Sequence, residues 1–185
     1  MVVDVFDVHL FDLLSHMMAY LSLCLALLLY SGEELVSLVA TECSTFVQIN
    51  SGTSKRSWAL PDGDPRVASV LRGNCLAACS ALFILVICLL FNTFLLEQPG
   101  SSVLMGTHRM QWLLQVLGDL NIKIYRQSFW MGCWGHWSPK RSIIWSNNPV
   151  IRAFTTHGLA KRKNEEAGPP TTVRYVSKKT GKSGY

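Results

Sequence analysis

Charge is scarce in this chain. Only 16% of its 185 residues are Asp, Glu, Lys or Arg, and nearly half are apolar. Such a balance excludes an intrinsically disordered protein, which has too little apolar surface to offset the entropy of ordering. Cysteine occurs at Cys24, Cys43, Cys75, Cys79, Cys88 and Cys133, mostly inside apolar runs, without the framework of a disulfide-stapled secreted domain. A basic amino-terminal region is also lacking: Asp4, Asp7 and Asp12 stand there, which argues against a secretory leader. A reducing, intracellular setting follows, cytoplasm or nucleus. Cys133 and His136 have a chelating spacing but no second pair, so no metal is expected. Lys179–Ser183 (KTGKS) lacks the upstream glycine of a phosphate loop, since Val176 stands there. The sequence contains no internal repeat.

The charge that is present is unevenly placed. Residues 1–160 carry ten basic and ten acidic side chains, whereas 161–185 carry seven basic and two acidic, so the whole net +5 lies in the tail. Gly168-Pro169-Pro170 marks a linker within it. A basic tail suits nucleic acid, an acidic membrane or plain solvation. Residues 1–160 read as one domain with the order β-α-β-loop-α-β-α-β-loop-β. The elements are a strand at Val2–Val5, a helix at Phe11–Tyr30, a strand at Leu35–Ala40 and a helix from Asp64-Pro65 to about Phe91. A strand at Thr93–Leu96, a helix at Val103–Leu117, a strand at Ile122–Tyr125 and a last strand at Ser142–Ser146 follow. This alternation predicts an α/β fold, a mostly parallel, Rossmann-like sheet flanked by helices and incomplete at its amino terminus. Strands buried on both faces account for the continuous apolar runs LVSLVA and TFLL.

A membrane alternative stands beside this. Leu13–Gly32 and Gly73–Leu96 carry no formal charge and are long enough to span a bilayer. Lys55, Arg56, Arg66 and Arg72 between them suit a cytoplasmic loop. That alternative predicts two packed antiparallel helices, Leu13–Tyr30 and Asn74–Phe91, and no sheet.

In an open α/β sheet, ligands bind beyond the carboxyl ends of the strands. Three loops would converge there, bearing Cys43, Glu97 and the stretch Gly132–Arg141. The ordered set E-C-S-T-F, E-Q-P-G-S-S and G-x-x-S-P-K-R resembles the cytosine-C5 DNA methyltransferases in degenerate form. The chain is also similar, more closely and over most of its length, to a protein family abundant in single-celled algae. That family has a Cys-Ser loop, an Asn-rich helix, a Glu-Gln-Pro or Glu-Asn-Pro triplet and a Met-Gly-x-x-Gly…Ser-Pro-Lys loop. The methyltransferase resemblance implies that the Cys43 thiolate adds to cytosine C6 while Glu97 holds the ring at N3. Arg141 or Lys140 would steady the C2 oxygen or a phosphate, on a base flipped from its stack. The implied methyl donor is S-adenosylmethionine. Thr41-Glu42 replaces the family's proline before the cysteine, the triplet reads Glu97-Gln98-Pro99, and no early strand is followed by a G-x-G loop. No cofactor is therefore expected in this chain, S-adenosylmethionine belonging to a complete parent, and no methyl transfer is expected from this chain alone.

Two further stretches point to DNA or RNA. Thr53-Ser54-Lys55-Arg56 offers hydroxyls and charge to a phosphate, or is an exposed polar loop. Trp130, Trp134, Trp137 and Trp145 lie near Arg126, Lys140 and Arg141, a mixture suited to base stacking and phosphate contact, or to packing.

Overall fold

The computed structural model describes residues 35–134 and 140–154, and the short pairing of 175–176 with 183–184. The expected strand Val2–Val5 and helix Phe11–Tyr30 lie outside the described residues, as do Trp137 and most of the basic tail. In chain order the elements are β1 (Val36–Val39), α1 (Ser51–Ser54), α2 (Ala68–Leu89), β2 (Thr93–Pro99), α3 (His108–Asp119), β3 (Tyr125–Trp130), β4 (Arg141–Ser146), β5 (Tyr175–Val176) and β6 (Ser183–Gly184).

The two apolar runs are strands. Val36–Val39 pairs in parallel with Thr93–Leu96, and α2 is the crossover between them. Two bare helices without a sheet are thereby excluded. Among the described residues α2 is the one helix long and apolar enough to cross a membrane, but more than half of its apolar window is packed inside the protein. Ala77, Ala81, Ile84 and Ile87 meet Phe94 and Leu96 of β2, Ile143 and Trp145 of β4, and Met110, Leu113 and Leu117 of α3 in one core.

The sheet order is β1-β2-β4-β3. The mostly parallel sheet expected from the sequence is corrected to a mixed one. β4 runs antiparallel to both β2 and β3, leaving β1–β2 as the only parallel pair of this sheet. The cause is loop length. Ten residues, 131–140, join β3 to β4, and a connection that short returns the chain antiparallel. β4 then fills the centre, with Ser142–Ser146 all buried. Its other face packs Ile144 with Phe129 of β3 and Ile151 of the turn Pro149–Ala153, and the Phe129 and Phe154 rings lie 5.3 Å apart.

Element ends depart from expectation for local reasons. Asp64 does not cap a helix with Pro65 as its first residue. Its carboxylate accepts the Arg66 backbone N–H and two bonds from the Arg66 guanidinium, and α2 begins only at Ala68. The Arg66 side chain, followed by its backbone N–H, holds the exposed Asp64 carboxyl down at about 2. Ile122 and Ile124 precede β3 instead of lying in it. The Ile122 N–H is taken by Leu117 O in the turn that ends α3, and both side chains pack against the helix-side core.

One buried cation organises the loop before α2. Arg56 is 2% exposed, and its guanidinium lies 4.0 Å from the centre of the Phe46 ring. It donates to Pro61 O, to Val70 O at 3.2 Å and to Asn74 Oδ1 at 2.8 Å. Burial lowers its pKa and the nearby Asp62 charge opposes that shift. Glycines make the room. A Cβ at Gly73 would stand 2.6 Å from Thr45 Oγ1 and 3.1 Å from Arg56 Nη2, and one at Gly63, which has φ +66°, 2.7 Å from Arg56 Cγ. Arg56→Met keeps the bulk but strands these acceptors. It should lower the unfolding free energy by about 2–4 kcal/mol in denaturant titrations, and Arg56→Lys should not restore it, because one ammonium cannot reproduce the planar fork.

Both long helices end in the same turn. Asn121 follows α3 with φ +59°, the left-handed conformation that asparagine tolerates. Phe91 occupies the equivalent place after α2 with φ +58°, its N–H on Cys88 O and the Asn92 N–H on Ile87 O. Phenylalanine is costly in this conformation. Here it is also 95% exposed, so packing returns nothing. Phe91→Gly should therefore raise the unfolding free energy by about 0.5–1 kcal/mol, read from the midpoint of urea unfolding.

Candidate functional site

β1 and β2 end, and β4 begins, at one edge of the sheet. Val39 pairs with Leu96, Pro99 with Ser142, and Trp130 at the end of β3 with Arg141. The expected convergence of Cys43, Glu97 and the stretch leading to Arg141 is therefore present at the level of the backbone.

A polar network fixes this edge. Gln98 is buried and donates from Nε2 to Thr41 O at 2.7 Å, while its Oε1 accepts from Ser102 Oγ at 2.9 Å. Ser102 Oγ in turn accepts the Leu104 N–H, and the Thr41 and Ser80 hydroxyls share a 2.6 Å bond. The Cys43 turn is held by the Phe46 N–H on Cys43 O, and Phe46 O accepts the Val103 N–H. Gln98 thus locks the loop after β1, the loop after β2 and α2 together. Sequence reasoning gave Gln98 and Ser102 no role. Their signal was a glutamine placed, by alternation with Phe94 and Leu96, on a buried face.

Glu97 lies within β2 and not in the loop beyond it. It pairs with Ile144 and so points to the face opposite Gln98. Its Oε1 is shielded from solvent and accepts no hydrogen bond among the described residues; Lys140 Nζ stands 3.9 Å away, an ion pair by distance alone. Ser142 Oγ, a diagonal neighbour on that face, is likewise buried and unpartnered among the described residues. Arg141 alternates with both Lys140 and Ser142 and falls on the other face. There its stem lies along Gly100 and its guanidinium 3.4 Å from Ser128 Oγ. Lys140, rather than Arg141, accompanies Glu97.

Cys43 is half-buried and sits two residues beyond Thr41. The other cysteines of the described core are packing residues, and burial pushes the Cys88 thiol up to about 11. Of the remaining expected contacts, Lys55 is exposed after α1, but Arg56 and Ser54 are buried. Arg56 is therefore corrected from a phosphate contact to a structural cation: its Nη1 and Nη2 donate inside the protein, while Nε is buried without a hydrogen-bond partner among the described residues. Arg126 is exposed near the start of β3, at the opposite end of the sheet from Lys140. Trp130 is half-buried at the site edge, Trp145 is core, Trp134 lies in the turn Met131–Trp134, and Trp137 is outside the described residues.

S-adenosylmethionine does not fit the described turns. The turn after β1 is Ala40–Thr45 and contains no glycine, and Gly100 after β2 is covered by the Arg141 side chain. No group of three or more metal-ligating side chains occurs among the described residues.

No protein-family model matches the chain, and no curated protein and no solved structure matches it either.

The network and the site make separable demands. Gln98→Leu should cost about 2–3 kcal/mol of stability, because it strands the Thr41 carbonyl and the Ser102 hydroxyl. Glu97→Gln, which removes a charge lacking hydrogen-bond donors, should leave the urea midpoint at or above that of the wild type.

Proposed function

We propose that the chain is a nucleobase-binding α/β domain, resembling nucleic-acid methyltransferases in its site residues and without methyl transfer of its own. The observation that carries this is the Glu97 carboxylate oxygen, buried on the sheet face at the carboxyl end of β2 with no hydrogen-bond donor among the described residues and with the Lys140 ammonium 3.9 Å away. A shielded carboxylate without a hydrogen-bond donor is unfavourable, and a ligand N–H relieves it. Ser142 Oγ, close by on the same face, offers both a donor and an acceptor. A flat edge that presents an N–H beside a carbonyl or ring nitrogen, as a nucleobase does, matches this pair. Lys140 supplies the cation for an adjoining phosphate, whereas Trp130, paired with Arg141, falls on the opposite face of the sheet.

Arg141 faces away from Glu97 and no described turn suits S-adenosylmethionine, which supports binding over methyl transfer. In the resemblance Cys43 would be the attacking thiol. Here it marks the rim of the site, and the proposed binding does not require it. The partner is DNA or RNA in single-stranded or flipped form, since the base edge must be free of its pairing partner.

Fluorescence anisotropy with a labelled single-stranded oligonucleotide tests this. Wild-type protein should bind. Lys140→Ala should weaken binding about five- to tenfold at low salt and flatten the salt dependence. Glu97→Gln should lower the preference for a normal strand over an abasic one. Equal affinity of wild type and Glu97→Gln for both strands would remove Glu97 from recognition, and Cys43→Ala should change none of these values.

A further inference from the structure

Among the described residues, the end of the sheet opposite the candidate site exposes several large apolar side chains. Phe91 follows α2, Leu120 follows α3, Val36 opens β1 and Val150 follows β4, and all four side chains are exposed. Leu89, in the last turn of α2, joins them. Asparagines staple this end together. Asn92 Oδ1 accepts the Leu35 N–H at 2.8 Å, Asn147 Oδ1 the Phe94 N–H at 3.1 Å, and Asn147 Nδ2 donates to Asn92 O at 2.7 Å. The apolar side chains therefore project from a rigid base.

Phe91 is the informative member. The turn after α3 uses asparagine where left-handed backbone is needed, and the same turn after α2 uses a large aromatic that contacts almost nothing. Neither the backbone nor the core gains from that choice, so the gain lies outside the fold. Among the described residues the surrounding charge is cationic. Lys123 and Arg152, both exposed, flank the Tyr125 ring at 5.5 and 5.1 Å, and Arg126 is adjacent; Asp119 is the acidic group facing the same end.

We propose that this end of the sheet docks on an anionic lipid surface. Phe91, Leu89, Leu120 and Val150 would enter the headgroup boundary, and Lys123, Arg126 and Arg152 would meet the lipid charges. The protein then lies on the bilayer with its sheet intact and its candidate site turned away. This docking is independent of the nucleobase reading.

The test is sedimentation of the full chain with vesicles of phosphatidylcholine alone and of phosphatidylcholine containing phosphatidylserine. Wild type should co-sediment with the anionic vesicles and less with the neutral ones. Phe91→Gly keeps the helix-ending turn, and its circular dichroism and urea midpoint show whether it is folded. It should lose about tenfold or more in partitioning, the expected effect of withholding one phenyl group from an apolar phase. Lys123→Glu with Arg152→Glu should abolish the preference for phosphatidylserine. Absence of wild-type binding, or equal binding by Phe91→Gly, overturns the proposal. The latter result would assign any attachment to 13–32 alone. A solution dimer that Phe91→Gly converts to monomer overturns it as well, by showing a second copy as the occupant.

Discussion

A cation with no hydrogen-bonded carboxylate is buried between the loop before α2 and α2 itself, and the layout of the site edge depends on it. The Arg56 guanidinium draws the Phe46 ring, the Pro61 carbonyl and the Val70–Asn74 turn of α2 onto one centre. Asn74 in turn donates to Asp62 O, and the Asp62 carboxylate accepts the His108 N–H at the start of α3. A negative group at a helix amino terminus is favourable in its own right. Asp62 thereby links the start of α3 to the clasp, and its charge partly compensates Arg56. Burying such a charge is expensive, and the compensation is geometric: four neutral acceptors and an aromatic face, with Gly63 and Gly73 leaving the space. The result is a fixed position for Phe46. Its carbonyl accepts from Val103, so it holds the Cys43 turn beside the loop that follows β2.

The two ends of the sheet are built from different polar chemistry. At the site edge Gln98, Thr41, Ser80 and Ser102 satisfy one another on the helix side of the sheet, while on the other side Glu97 Oε1 and Ser142 Oγ have no hydrogen bond among the described residues. Alternation along β2 and β4 separates the two sets. Adjacent residues fall on opposite faces, so one dipeptide, Glu97-Gln98, supplies a structural anchor on one face and, on the other, the carboxylate on which the proposed site rests. At the far end the asparagines consume their capacity on strand termini, and what remains outward is apolar.

Much of the sheet was legible because buried strands announce themselves as short uncharged runs. Leu35–Ala40, Thr93–Leu96 and Ser142–Ser146 each contain or overlap a strand, and β1 and β2 are parallel as the order of elements implied. The direction of β4 was legible too, in the shortness of 131–140, but alternation of elements was given more weight than loop length. Arg56 was misread for a physical reason. A basic residue beside Thr, Ser and Lys looks solvated, and only the three-dimensional meeting of Phe46, Pro61 and Asn74 makes burial favourable. The faces of Glu97 and Arg141 depended on register, and a shift of one residue exchanges them. Glu97 was assigned to a loop because the glutamine and proline after it look like strand breakers. Pro99 is in fact the last residue of β2, and ladder pairing reaches it.

The unusual residues of this chain divide into those that the fold explains and those that it does not. Gln98 and Asn92 are buried polar groups whose partners are on view, and Arg56 is one whose Nη groups are paired while its Nε is not; their identities follow from packing. Glu97, Ser142 and Phe91 are the reverse: a carboxylate without a donor, a hydroxyl without a partner among the described residues, and an aromatic without a neighbour. Each lowers the stability of the folded state relative to a simpler residue at its position. Selection for stability alone would replace all three, with glutamine or leucine at 97, alanine at 142 and glycine at 91. Residues that weaken a fold persist where an interaction outside the fold repays them. The two contacts proposed above, at opposite ends of the sheet, rest on these three residues.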